Sequence, residues 1–205
     1  MSKDTIHLLL NMNQDKLETQ IAIQCAPLLT GRKISNLLTV SAGKRNEVMR
    51  IFRNTAISCY VLYTSGEKTT FLLYRREKLE RYLGLPDTES LMAYFGYSHQ
   101  ELGRILRNVA GKYMAHMEGH RGFPHEIGLL LGYPPGDVMG FIENNGKNCL
   151  CSGYWKVYSN MTECKRIFRG YSYARERVIH MVSHGMEIAD ILAIYELHQY
   201  KSMTI

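Results

Sequence analysis

The sequence predicts an α+β fold: a small, mostly antiparallel sheet of three to four strands within a helical shell, in one domain spanning residues 1–205. Three observations point there. Ala56–Tyr63 and Thr69–Tyr74 are rich in β-branched and aromatic residues, and Thr64-Ser-Gly-Glu-Lys68 joins them with a glycine-containing link of hairpin length. Apolar residues recur at helical spacing through much of the remainder, giving a mostly helical region over 98–199. A length of 205 residues with 45% hydrophobic content suits one well-buried core, and no repeat or linker divides the chain.

Taken in order, Leu17, Ile21, Cys25 and Leu28 share a helical stripe, which predicts a helix over 15–26. Pro27 should interrupt it, because a proline inside a helix loses a hydrogen bond and clashes with the preceding turn. A new turn starting there would stop at Gly31. Ile34–Val40 reads as a short strand. Lys44–Asn54 reads as a helix with Val48, Ile51 and Phe52 inward and Arg45, Arg50 and Arg53 outward. After the hairpin, Glu77–Leu83 turns helical and stops at Gly84. Asp87 is placed to cap a helix reaching Phe95. Ser98 is placed to cap one from His99 to Met117, with Glu101 completing an S-x-x-E box. Pro124 opens a short helix ending at Gly132, and another covers Gly136–Asn144. Gly153–Ser159 reads as a strand, and helices over Met161–Gly170 and Tyr173–Gln199 close the chain.

No window reaches the roughly 18 continuous apolar residues of a spanning helix. The run Ile6–Leu10 is too short for a signal-peptide core and has no small-residue cleavage site behind it, so a cytoplasmic protein without a membrane part is expected. Five cysteines in a chain this long read as free thiols rather than a disulfide framework. Cys149-Leu-Cys151 has too short a spacing for a zinc ribbon or a thioredoxin-like site.

The net charge is +6, and its excess lies in the basic strand and helix region 32–81, which holds eleven Lys or Arg against four Glu. Gathered around a recess, Lys33, Arg45, Arg50, Arg53, Arg75 and Arg76, with Asn36 and Tyr74 as polar contacts, would bind an anionic small molecule such as a phosphate-bearing metabolite or nucleotide. Spread over several faces, they would only solvate the surface. Residues 124–144 have the spacing of a helix-turn-helix corner. Its second helix would show Gly136, Asp137, Met139, Gly140, Glu143 and Asn144, two acids and no base, so a structural corner is favoured over a reader of nucleic acid. His116 with His120, and His180 with His184, have the spacing of metal ligands on one helical face, but no metal site is assigned from them.

The run Phe123-Pro-His-Glu-Ile-Gly-Leu-Leu-Leu-Gly-Tyr-Pro-Pro-Gly-Asp-Val-Met-Gly-Phe-Ile142, followed by Gly153-Tyr-Trp-Lys-Val-Tyr158, resembles an uncharacterised bacterial family catalogued only as a domain of unknown function. Cys25-Ala26-Pro27, Leu29, Gly31, Lys33 and Asn36 are similar to an earlier part of its pattern, whereas Leu28 and Thr30 depart from it. The resemblance covers nearly the whole chain and implies a cytosolic protein; no activity, cofactor or protein partner comes with it.

It does direct attention to Cys25. If Pro27 sits at the first position of a helix, Cys25 lies just before a helix N-terminus, where thiolate is favoured. With His125 as base, oriented by Glu126 or Asp137, and Gln24 near an oxyanion, a thiol enzyme for acyl transfer or hydrolysis follows. The alternative is a buried structural thiol, since Cys25 also lies on the apolar stripe. Three readings therefore stand: an anion-binding module on region 32–81, a Cys25–His125 enzyme, and, less favoured, a nucleic-acid adaptor.

Overall fold

A computed structural model of the chain describes residues 2–203, with side chains described through Leu197. Helices α1 (Lys3–Asn11) and α2 (Leu17–Leu29) lead into strand β1 (Ser35–Ser41), a short 3-10 turn and helix α3 (Arg45–Ile51). The hairpin β2 (Ser58–Thr64) and β3 (Lys68–Tyr74) follows, then helices α4 (Arg76–Leu83), α5 (Pro86–Tyr94), α6 (Leu102–Met117), α7 (Ile127–Leu130) and α8 (Pro135–Glu143). A two-stranded hairpin, β4 (Cys151–Ser152) and β5 (Lys156–Val157), precedes the closing helices α9 (Met161–Ser183) and α10 (Ile188–Met203).

The sheet has order β1-β3-β2 with every pairing antiparallel, so Tyr74 at the end of β3 faces Ser35 on one side and Ser58 on the other. Alternation along β3 divides the molecule. Phe71 and Leu73 point into a core with α2, α3, α9 and α10, while Leu72 and Tyr74 point into a second core with α4 to α8. Only a strand covered on both faces is buried from Thr69 to Tyr74, as this one is. Trp155, Val157, Cys164 and Tyr171 form a third, smaller cluster where the β4–β5 hairpin meets α9. The α+β class and the small antiparallel sheet are as expected from the sequence.

Several local expectations change. Helix α2 runs straight through Pro27 to Leu29. Pro27 cannot donate to the Ile23 carbonyl, but the Arg175 guanidinium on α9 does so at 3.0 Å, which replaces the lost hydrogen bond. Helix α5 is opened by Pro86 at its first position, with Asp87 inside the helix. Helix α6 begins at Leu102 with Glu101 at the N-cap and no side-chain cap, so the Ser98 box does not form. Residues 153–159 contribute only the two-residue strand β5. Gly170 does not break the chain there: α9 continues to Ser183 and ends before Gly185, whose φ of +85° reverses the backbone. Residues 3–11, taken in the sequence only as a short apolar run, form α1, capped by the Ser2 hydroxyl and packed on α9.

The exposed edge of β1 is guarded by α2. The Gln24 side-chain amide donates to the Thr39 carbonyl at 3.2 Å and accepts from the Thr39 N–H at 3.1 Å, taking the place of a neighbouring strand. Gln24 is thus engaged in structure.

Candidate functional site

The basic residues of region 32–81 are placed on different elements and take different partners. Arg75 is buried, and its guanidinium donates to the Leu28 and Leu29 carbonyls, both at 3.3 Å. Lys78 donates to the Gly31 carbonyl at 3.2 Å. Two of the region's cations therefore complement the negative end of α2. Arg76 is exposed and pairs with Glu80 at 3.0 Å on its own helix. Arg45 is exposed at the start of α3, while Arg50 and Arg53 border a depression that they share with Glu18, Glu187 and Glu196. Lys33 lies inside, donating to the Asn36 side-chain carbonyl at 3.0 Å, and burial holds its ammonium down to about 8 despite the proximity of Cys25. Asn36 donates onward to the Gln24 carbonyl at 2.7 Å, and Tyr74 is buried at the strand end. The charge of this region is divided among the end of α2, the Arg76–Glu80 pair, the buried Lys33 and the mixed-sign depression at Arg50 and Arg53.

Cys25 lies within α2 rather than before a helix N-terminus, because the helix passes through Pro27. Its thiol has no exposed surface and lies 3.9 Å from the Leu37 carbonyl and 3.7 Å from the Asn36 amide. Burial pushes it up to about 12, with nearby Lys33 only partly offsetting this. Cys59 and Cys164 are also pushed up to about 12, chiefly by burial. Alkylation of the native protein near neutral pH should therefore label the half-buried Cys149 and Cys151 first, with Cys25 reacting only on unfolding. Mass mapping of iodoacetamide-labelled peptides reads this directly, and fast selective labelling of Cys25 would restore the nucleophile reading.

His125 and Glu126, adjacent in sequence, face different surroundings. Glu126 is 3% exposed and accepts from the Lys112 ammonium at 2.6 Å and the Tyr97 hydroxyl at 2.9 Å, tying α6 to the start of α7. Lys112 also lies over the Tyr97 ring, 4.6 Å from its centre. His125 is half-buried, with its ring against Phe123 and Phe141 at centroid distances of 5.8 and 5.5 Å. Among the described residues its ring nitrogens have no hydrogen-bond partner.

His125 lines a recess of about 350 Å³, and the residues around it come almost entirely from the two runs that carry the family resemblance. Helix α7 and the turn after it give Ile127, Gly128, Leu131 and Tyr133; α8 gives Asp137, Val138 and Phe141; the β4–β5 hairpin gives Trp155 and Lys156; β1 adds Leu37. Glycines allow the close approach. A Cβ on Gly128 would stand 2.9 Å from a Val138 methyl, and one on Gly140 would overlap the Tyr158 side chain. Without side chains at these positions, α7 packs on α8 and α8 packs on residue 158.

Asp137 holds this arrangement together. The sequence placed it on the exposed side of α8 with Gly140; both are buried, Asp137 at 2% exposure. One carboxylate oxygen accepts from the Tyr158 N–H, the Ser159 N–H and the Ser159 hydroxyl, each at 2.8 Å. The other accepts from the Trp155 indole N–H at 2.7 Å and the Cys164 thiol at 3.5 Å. Burial alone would raise this carboxyl, but the Tyr158, Ser159 and Trp155 donors outweigh it and hold the group below the ordinary carboxylate range. Trp155 is thereby fixed against Tyr133, the rings stacked at 5.0 Å and 26°. At the rim, the exposed Lys156 ammonium donates to the Gly146 carbonyl at 2.7 Å and lies 5.7 Å from the centre of the Phe141 ring.

A family model described as a protein of unknown function, DUF3793, matches residues 21–192. The chain belongs to the DUF3793 family. That match includes every residue lining the recess. No curated protein and no solved structure matches the chain. DUF3793 membership carries no activity with it, so function has to be argued from the site.

Among the described residues, no three His, Cys, Asp or Glu side chains are grouped to hold a metal ion. His116 ends α6 with its ring against the Arg121 carbonyl, while His120 lies beyond the helix beside Glu118, so this pair does not share a helical face. His184 terminates α9 and is bonded to the His180 carbonyl. No helix among the described residues is long and apolar enough to cross a membrane. The 124–144 corner has a one-turn first helix, and its second helix, α8, carries no base.

Proposed function

We propose that this DUF3793 protein is a binding module for a small, largely apolar molecule held in the recess between α7, α8 and the β4–β5 hairpin. One observation carries this reading: two runs separated in sequence, 123–142 and 153–158, meet around one cavity with aromatic and aliphatic walls. Its size lies near the lower end of the range for small-molecule sites, and a few polar groups among apolar walls is the usual composition of such sites. Asp137 supports a binding role rather than turnover, because its carboxylate is fully used in holding the wall. Buried, strongly raised Cys25 gives no comparable support to a thiol enzyme.

Binding of N-phenyl-1-naphthylamine, a neutral aromatic whose emission rises in apolar surroundings, tests the proposal. We expect saturation at one probe per chain and a rise in Tm with probe concentration, since a ligand of the native state stabilises it by mass action. Leu37→Trp, which fills the recess from β1, is expected to weaken binding at least about tenfold while leaving the fold intact. Absence of saturable binding, or binding undiminished in a folded Leu37→Trp protein, would overturn the reading.

A further inference from the structure

We propose, resting on the binding role above, that the ligand is an aromatic carboxylate, with its rings in the recess and its acid group at Lys156. Tyr133 and Trp155, stacked on each other, form one aromatic wall, and Phe123, His125 and Phe141 form a run of rings, the first pair edge to face and the second tilted at 51°. Such surfaces favour planar rings, and about 350 Å³ has room for a fused pair with a further ring attached.

Charge then selects the sign of the ligand. An aromatic recess with a buried aspartate would ordinarily suggest a cation, but both requirements for one are already met by the protein. The Tyr133 and Phe141 rings carry its own ammonium groups, Lys33 at 5.4 Å and Lys156 at 5.7 Å from the ring centres. Among the described residues Asp137 is the one acid lining the recess, and five donors occupy its two oxygens. A second cation would meet repulsion and find no carboxylate oxygen left to pair with. An anion meets the opposite situation: the Lys156 ammonium uses one donor on Gly146, leaving two, and the His125 ring has no partner among the described residues.

Displacement of bound N-phenyl-1-naphthylamine by 2-naphthoate and by 2-naphthalenemethanol, which share the ring system and differ in charge, tests the assignment. The acid should displace the probe at about tenfold lower concentration than the alcohol, the difference expected of one charge-assisted contact. Lys156→Met should abolish that preference, and Lys156→Arg should keep it. Equal potency of acid and alcohol on the wild-type protein, or a preference that survives Lys156→Met, would overturn the ligand class while leaving the binding site in place. Failure of the neutral probe to bind at all would remove the site and this ligand together.

Discussion

Asp137→Asn is expected to lower stability by about 3 kcal/mol, which for a chain of this size is a fall in Tm of roughly 6–12 °C. The asparagine oxygen can still face the two backbone N–H groups and the Ser159 hydroxyl. Its amide must then face the Trp155 indole N–H, a donor set against a donor where the wild type has a bond of 2.7 Å. Charge assistance is lost from the remaining bonds as well. The pH dependence has a definite sign. The folded carboxyl lies below its unfolded value, so its contribution is complete above about pH 4–5 and is lost as pH falls through the folded pKa. Wild-type stability should therefore drop more steeply on acidification than that of Asp137→Asn, and the two curves should converge in acid. Urea unfolding between neutral and acid pH measures both, and parallel curves would show that Asp137 is not the group responsible.

Lys112→Met should cost about 3 kcal/mol, because it leaves the Glu126 carboxylate buried with only the Tyr97 hydroxyl beside it. The loss belongs to the unpaired charge rather than to the missing methylene packing, since methionine fills similar space. Adding Glu126→Gln to Lys112→Met should therefore recover most of the stability: the glutamine carbonyl still accepts from Tyr97 and no charge remains buried. A double variant as unstable as the sum of the singles would mean that the pair is not coupled. Because the pair joins α6 to the start of α7, the single variant should also weaken probe binding at the recess, and the double variant should restore it.

The fold was legible in the sequence where local pattern and tertiary context agree. The β2–β3 hairpin was readable because Val, Thr, Tyr and Phe cluster on both sides of a glycine link, and β3 is buried on both faces as its apolar content requires. Pro27 misled because its cost is relieved by Arg175, 148 positions away in the chain and invisible to any local rule. Ser98 misled because a capping pattern does not guarantee a helix start. The charge count over 32–81 was correct, but its meaning was not readable: Arg75 and Lys78 serve the C-terminal end of α2, a role that depends on the packing of distant elements. At the recess, His125 was singled out for chemistry with a cysteine, whereas its neighbours are Phe123 and Phe141. Local pattern alone does not mark Trp155, Tyr133 and Phe141 as members of a site. The signal that could have found them is the density of glycine among aromatic residues in both signature runs, since glycines at 128 and 140 permit contact at backbone distance.

Trp155 offers the most direct test of the central claim, because it is the one tryptophan of the chain and part of the recess wall. Titration with N-phenyl-1-naphthylamine while exciting tryptophan should quench Trp155 emission by energy transfer, with probe emission rising in step and both saturating at one probe per chain. Trp155 emission that stays unchanged while the probe binds, or quenching that rises without saturation, would contradict a ligand site at this position.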